Sequence, residues 1–148
     1  RRQRQMCIET VTVQGLGDPN YAYSLLKQYK GEWEFDTNWK MIFGHPKKAG
    51  WIKAIQEAQQ TVQKGLKLDC PILVMSSNKS FPETETWHEE YMTSDIVLDV
   101  QDIQKYGEKL GDKVTRDTIP NGIHDLILSQ KPYRNDAYQT IFEWLKKQ

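Results

Sequence analysis

Hydrophobic positions along the chain change period several times, and each change marks an element. Ala22, Leu25, Leu26 and Tyr29 recur at helical spacing, with Asn20 as a candidate N-cap and Gly31 as a stop. Ile52, Ile55, Ala58 and Val62 form one face of a second helix, beginning near Lys48 and ending at Gly65. Pro71 to Ser76 is short and almost continuously apolar, which suits a strand buried on both faces of a parallel sheet. A long polar connection from Ser77 to Ser94 follows, and its stretch from Glu83 to Glu90 reads as a solvated loop. Val100, Ile103, Tyr106, Gly107 and Leu110 then share a helix face between the candidate caps Asp99 and Gly111. Val114 to Ile119 alternates and predicts an edge strand. A last helix, from about Asp136 to Lys147, is expected to bury Tyr138, Ile141, Phe142 and Leu145.

The order helix, strand, helix, strand, helix predicts an α/β fold with about two parallel strands and flanking helices. Two stretches escape the periodic reading. Residues 1–19 hold β-type residues (Ile8, Val11, Val13) and a Gly15, Gly17, Pro19 turn cluster, and read as an irregular N-terminal segment. Gly31 to Pro46 is dense in aromatics without a clear period, so its rings are expected to pack against something, most simply the body of the domain. The predicted organisation is therefore an N-terminal segment (1–19), an aromatic region (20–50) and the core (51–148).

Charge narrows the class of partner. Lys plus Arg and Asp plus Glu both number 20, so the net charge is zero and no basic face points to nucleic acid. The early cluster Arg1, Arg2 and Arg4 reads as a solvated tail. No stretch of about 18 apolar residues suggests a membrane span, and no signal peptide is visible. Cys7 and Cys70 make no disulfide framework, so a cytoplasmic location is the default expectation. The mean hydropathy of −0.73 is low for a self-contained enzyme domain. Together with the non-methionine first residue, it leads to the expectation that the chain belongs to something longer.

Candidate chemistry lies after the two strands, where α/β folds keep their sites. Asp95 follows the first strand and its long connection, and precedes a helix. His124 sits beyond the Pro120–Asn121–Gly122 turn after the second strand. A triad in α/β-hydrolases runs in the order serine, acid, histidine, with acid and histidine after successive strands. The segments PILVMSS, SDIVLDVQDIQKYGEKLG and VTRDTIPNGIHDLILS, with the helix that follows, resemble the C-terminal part of an α/β-hydrolase. The branch is the serine aminopeptidase and lysophospholipase-like group, which includes monoacylglycerol lipases. YAYSLLKQYKGEWEFDTNWK and GWIKAIQEAQQ resemble the cap-to-helix region of that branch, and the resemblance covers residues 20–148.

The resemblance implies that Asp95 is the triad acid and His124 the general base, acting on a small ester or lipid-like substrate. An acidic insertion separates Asp95 from its strand, which leaves Asp99 as the second candidate. No G-x-S-x-G occurs: Ser24, Ser76, Ser77, Ser80, Ser94 and Ser129 all lack that setting. The expectation is thus a serine-hydrolase fragment, inactive alone. The alternative is a non-catalytic α/β module that self-associates through an exposed sheet edge or binds a partner. Cys70 precedes its strand and reads as a buried free thiol rather than a substitute nucleophile. His45, His88 and His124 show no metal-ligand spacing, so neither metal nor cofactor is expected.

Overall fold

The computed structural model describes residues 12–13 and 19–148. The arginine cluster, Cys7, Ile8, Val11, Gly15 and Gly17 lie outside the described residues. The elements run β1 (Thr12–Val13), α1 (Asn20–Leu25), β2 (Lys47–Lys48), α2 (Ala49–Lys64), β3 (Ile72–Ser77), α3 (Val100–Gly107), β4 (Val114–Ile119) and α4 (Lys131–Leu145). Single 3-10 turns occupy Glu89–Met92, Glu108–Leu110 and Leu126–Leu128. β1 and β2 form a short antiparallel pair. β3 and β4 are parallel, in register from Ile72↔Val114 to Ser77↔Ile119. The molecule is thus a mixed α/β unit built on a two-stranded parallel sheet with flanking helices. Among the described residues no helix is long and apolar enough to cross a membrane.

The two faces of the parallel sheet are covered differently. Side chains alternate along a strand, so Val74 and Ser76 lie on one face and Leu73 and Met75 on the other. α3 closes the first face. A Cβ on Gly107 would stand 2.9 Å from Val74, so only glycine lets the helix approach this closely. The Gln104 amide donates to Ser76 Oγ at 2.8 Å. The second face meets α4, whose Trp144 indole N–H donates to Thr115, the register partner of Leu73. A groove remains there between the strand and the helix.

Several expected boundaries shift. α1 ends at Leu25, well before Gly31, because the chain folds back: Lys27 N–H donates to Trp33 O and Trp33 N–H to Leu25 O. Asn20 is not a cap but the first helical residue, and its side-chain amide reaches Thr84 O at 3.1 Å. α2 keeps its predicted bounds and stops at Gly65, whose φ of 97° favours glycine, but its apolar face is not buried and Ile55 is exposed. α4 begins at Lys131 rather than Asp136, with Pro132 in its first turn, where a missing N–H costs nothing. Three of its four expected core residues, Tyr138, Phe142 and Leu145, are exposed. Ile141 is half-buried and lines the groove. Cys70 is exposed rather than buried, because it stands just outside the strand.

The strand residues before the C-terminal end of the sheet are at most half-buried, and full burial begins at that end. Leu25, Leu26, Ile119, Ile123 and Ala137 are buried there. The polar connection after β3 is no idle loop, since it wraps around Tyr91, which is fully buried. The Tyr91 ring meets Phe81, Trp87 and His88 edge-on, and its hydroxyl accepts from Thr84 N–H at 2.8 Å.

Candidate active site

Two loops at the C-terminal ends of β3 and β4 carry the candidate residues, and backbone bonding fixes both. In the first, Asp95 N–H donates to Lys79 O at 3.0 Å and Phe81 N–H to Asp95 O at 2.9 Å. The insertion therefore leaves and returns as a closed excursion, and Asp95 comes back beside the strand end. Ser80 completes the closure, donating to Leu98 O and accepting from Val100 N–H. In the second, Asn121 takes φ of 60° and donates its N–H to the Asn78 side chain, tying the loops together. Ile123 is buried and its N–H donates to Ser129 Oγ at 3.0 Å, which anchors the chain next to His124.

His124 Nδ1 lies 2.9 Å from Asp95 Oδ2. Asp95 is 1% exposed, and its other oxygen accepts from Val97 N–H and Leu98 N–H at 2.8 Å each. A carboxylate so held cannot swing away. Its demand for a donor fixes the proton of a neutral His124 on Nδ1, leaving the lone pair on Nε2. Burial opposes the charge on Asp95, but the imidazole and the two amides outweigh it and hold the carboxyl below its ordinary range. The hydrogen bond to Asp95 raises the His124 imidazole above its ordinary value, against the opposing effect of burial. Asp99 is elsewhere: it is exposed and caps α3, accepting from Gln101 N–H at 2.8 Å. Of the two candidate acids, only Asp95 meets the histidine.

A second cluster adjoins the pair. Asp125 accepts a hydrogen bond from the Tyr21 hydroxyl and another from Lys40 Nζ at 3.0 Å. The Tyr21 ring stands edge-on to the His124 ring, with centroids 6.1 Å apart. Burial opposes charge on Asp125, yet its two donors hold the carboxyl below the ordinary range. Burial, reinforced by the Asp125 hydrogen bond, drives the Tyr21 hydroxyl far up, so it stays a donor at all working pH values. Tyr21 and Lys40 stand 104 and 85 residues from Asp125 in the chain, and no local pattern could have paired them.

His124 and Asp125 open onto a cavity of about 640 Å³, walled by Leu73, Met75, Ile127 and Ile141. This is the groove between the sheet and α4. The arrangement can take up a proton from a group seated in that cavity and stabilise the imidazolium so formed. Among the described residues no serine, threonine or cysteine side chain hydrogen-bonds His124. Cys70 lies before the N-terminal end of β3, and the strand's rise of about 3.3 Å per residue separates it from the site. Among the described residues, no group of three potential ligands could hold a metal. No protein-family model, curated protein or solved structure matches the chain.

Proposed function

We propose that Asp95 and His124 are the acid and base of a serine-hydrolase triad, in the C-terminal part of an α/β-hydrolase of the serine aminopeptidase and lysophospholipase-like branch. One observation carries this reading: a fully buried carboxylate, locked by two backbone amides, 2.9 Å from the Nδ1 of a histidine that borders a cavity. A surface ion pair does not need that degree of fixation. The order of the two loops after successive parallel strands supports it. His124 Nε2 takes the proton of a serine hydroxyl as it attacks an ester or amide carbonyl. The imidazolium, stabilised by Asp95, returns that proton to the leaving group, and water repeats the cycle on the acyl-serine. No G-x-S-x-G lies within the 148 residues, so the nucleophile comes from outside this stretch. Loss of the nucleophile alone costs on the order of a millionfold in such a triad. The 148-residue chain by itself therefore gives no turnover of a short-chain activated ester above buffer.

The test is fluorophosphonate labelling of the native gene product in its source cells, with and without His124→Ala. Labelling that His124→Ala abolishes is the expected result, whereas absent or unchanged labelling overturns the reading. The exposed Tyr138, Phe142 and Leu145 on α4 favour a second reading, a non-catalytic module that self-associates. Among the described residues β3 pairs only with β4, which leaves a strand edge for the same purpose. Concentration-dependent dimerisation that survives His124→Ala, in a gene product that takes no label, is the outcome specific to it.

A further inference from the structure

We propose that the segment from Trp39 to Lys53 docks the protein reversibly on an anionic lipid surface. The five tryptophans divide into two groups. Trp33, Trp87 and Trp144 each donate the indole N–H to a protein acceptor, at 2.9, 2.9 and 3.1 Å. Trp39 and Trp51 donate to none among the described residues, and they are 85% and 56% exposed. Indoles usually find a partner when buried, and the lipid headgroup layer is an environment that accepts the N–H while covering the ring. Met41 and Phe43 are exposed on the same stretch.

Charge points the same way. From Thr37 to Lys53 the chain carries four lysines and no acidic residue, in a protein whose net charge over its whole length is zero. Lys40 is held by Asp125 and Lys53 by Glu57. Lys47 and Lys48 are exposed and form no ion pair among the described residues. The patch is continuous. One groove runs along Trp39, Phe43, His45 and Lys47, with Glu83 as the acidic residue on its wall, and a second, along His45, Lys47, Lys48 and Trp51, shares its middle. Exposed aromatics interleaved with Lys47 and Lys48, which form no ion pair among the described residues, match the interfacial layer of an anionic membrane, with rings at headgroup depth and ammonium groups on lipid phosphates. The segment is too short and too polar to go deeper. This surface does not depend on the hydrolytic reading.

The test is co-sedimentation of the protein with vesicles of phosphatidylcholine alone and of equal parts phosphatidylcholine and phosphatidylglycerol. Binding to the anionic vesicles alone, weakening as salt rises, is expected. Each lysine near such a surface contributes about fivefold, so Lys47→Gln with Lys48→Gln lowers affinity roughly 25-fold. Trp39→Ala lowers it on the order of tenfold or more, and bromine on the upper acyl carbons of the lipid quenches the wild-type fluorescence. These side chains are exposed, and circular dichroism verifies that the variants stay folded. Equal binding to both vesicle types, or lysine variants that bind like wild type, overturns the proposal. So does salt-sensitive dimerisation without vesicle binding, which assigns the patch to a second copy.

Discussion

The loops at the C-terminal end of the parallel sheet and the middle of the same sheet follow opposite rules. In the loops and at the strand end that feeds them, polar groups are deeply buried and almost all satisfied: Asp95 and Ser129 in the loops and Ser76 and Ser77 at the end of β3 are inside, and only Ser94 Oγ lacks a hydrogen-bond partner among the described residues. Over the sheet, apolar groups stay in contact with water. Leu73 and Met75 wall an open groove, and Phe142 on the helix above is 57% exposed. Normally a core forms on the sheet and the loops hang from it. Here the deepest burial includes the loops that hold Asp95 against His124, while the sheet's strand residues Ile72 to Met75 are only half-buried. Two side chains kept at hydrogen-bond distance by buried loops are pre-organised, and pre-organisation is what proton transfer requires.

Four substitutions grade this contrast. Tyr91→Ala empties the centre of the loop core and should cost about 3–5 kcal/mol, read from the urea midpoint. A cost near zero would show that the loop core is not what holds the site. Asp95→Ala leaves the amides of Val97 and Leu98 without an acceptor and should cost about 1–3 kcal/mol at neutral pH. Asp99→Ala removes only a helix cap and should cost about 1 kcal/mol. It should leave the titration of His124 unchanged; a shift there would bring Asp99 back as the acid. Phe142→Ala, on the open side, should alter stability by less than about 0.5 kcal/mol. A loss as large as that of Tyr91→Ala would mean that α4 is buried in solution.

The pair also sets a pH signature. The folded-state pKa of His124 is raised, so its contribution to stability is complete below the unfolded value of about 6.5 and is lost as pH rises through the folded value. That of Asp95 is lowered, so its contribution is complete above about 4 and is lost as pH falls through the folded value. The pair therefore stabilises most between about pH 4 and 6.5. Asp95→Asn should lower stability across that window and remove the fall on either side of it, as followed by urea midpoints across pH. An identical pH dependence in the variant would mean that the contact contributes nothing in solution.

What the sequence made legible was whatever a local pattern encodes. The strand from Ile72, the end of α2 at Gly65 and the Asp99 cap could all be read because neighbours in the chain decide them, whereas the expected burial of that strand on both faces is not met, since Leu73 and Met75 wall an open groove. So could the placing of Asp95 and His124 after successive strands, which the parallel pairing brings to one edge. The start of α4 escaped because Lys131 to Asn135 carries no apolar period, while Pro132 at its first turn is itself a start signal. The burial of Tyr91 escaped because the glutamates around it dominate the average polarity of that stretch. The Tyr21–Asp125–Lys40 cluster is made across most of the chain, and no spacing rule reaches it. The exposure of Tyr138 and Phe142 was hidden for another reason: periodicity tells which face of a helix is apolar, not whether anything covers it.

The central claim is that Asp95 holds and charges His124, and nuclear magnetic resonance titration of the His124 ring tests it most directly. The account predicts an imidazole pKa above the ordinary histidine value in the wild type and a fall toward or below it in Asp95→Asn. It also predicts, at pH values where the ring is neutral, a proton on Nδ1. A wild-type His124 that titrates at its ordinary value and does not respond to Asp95→Asn would contradict it.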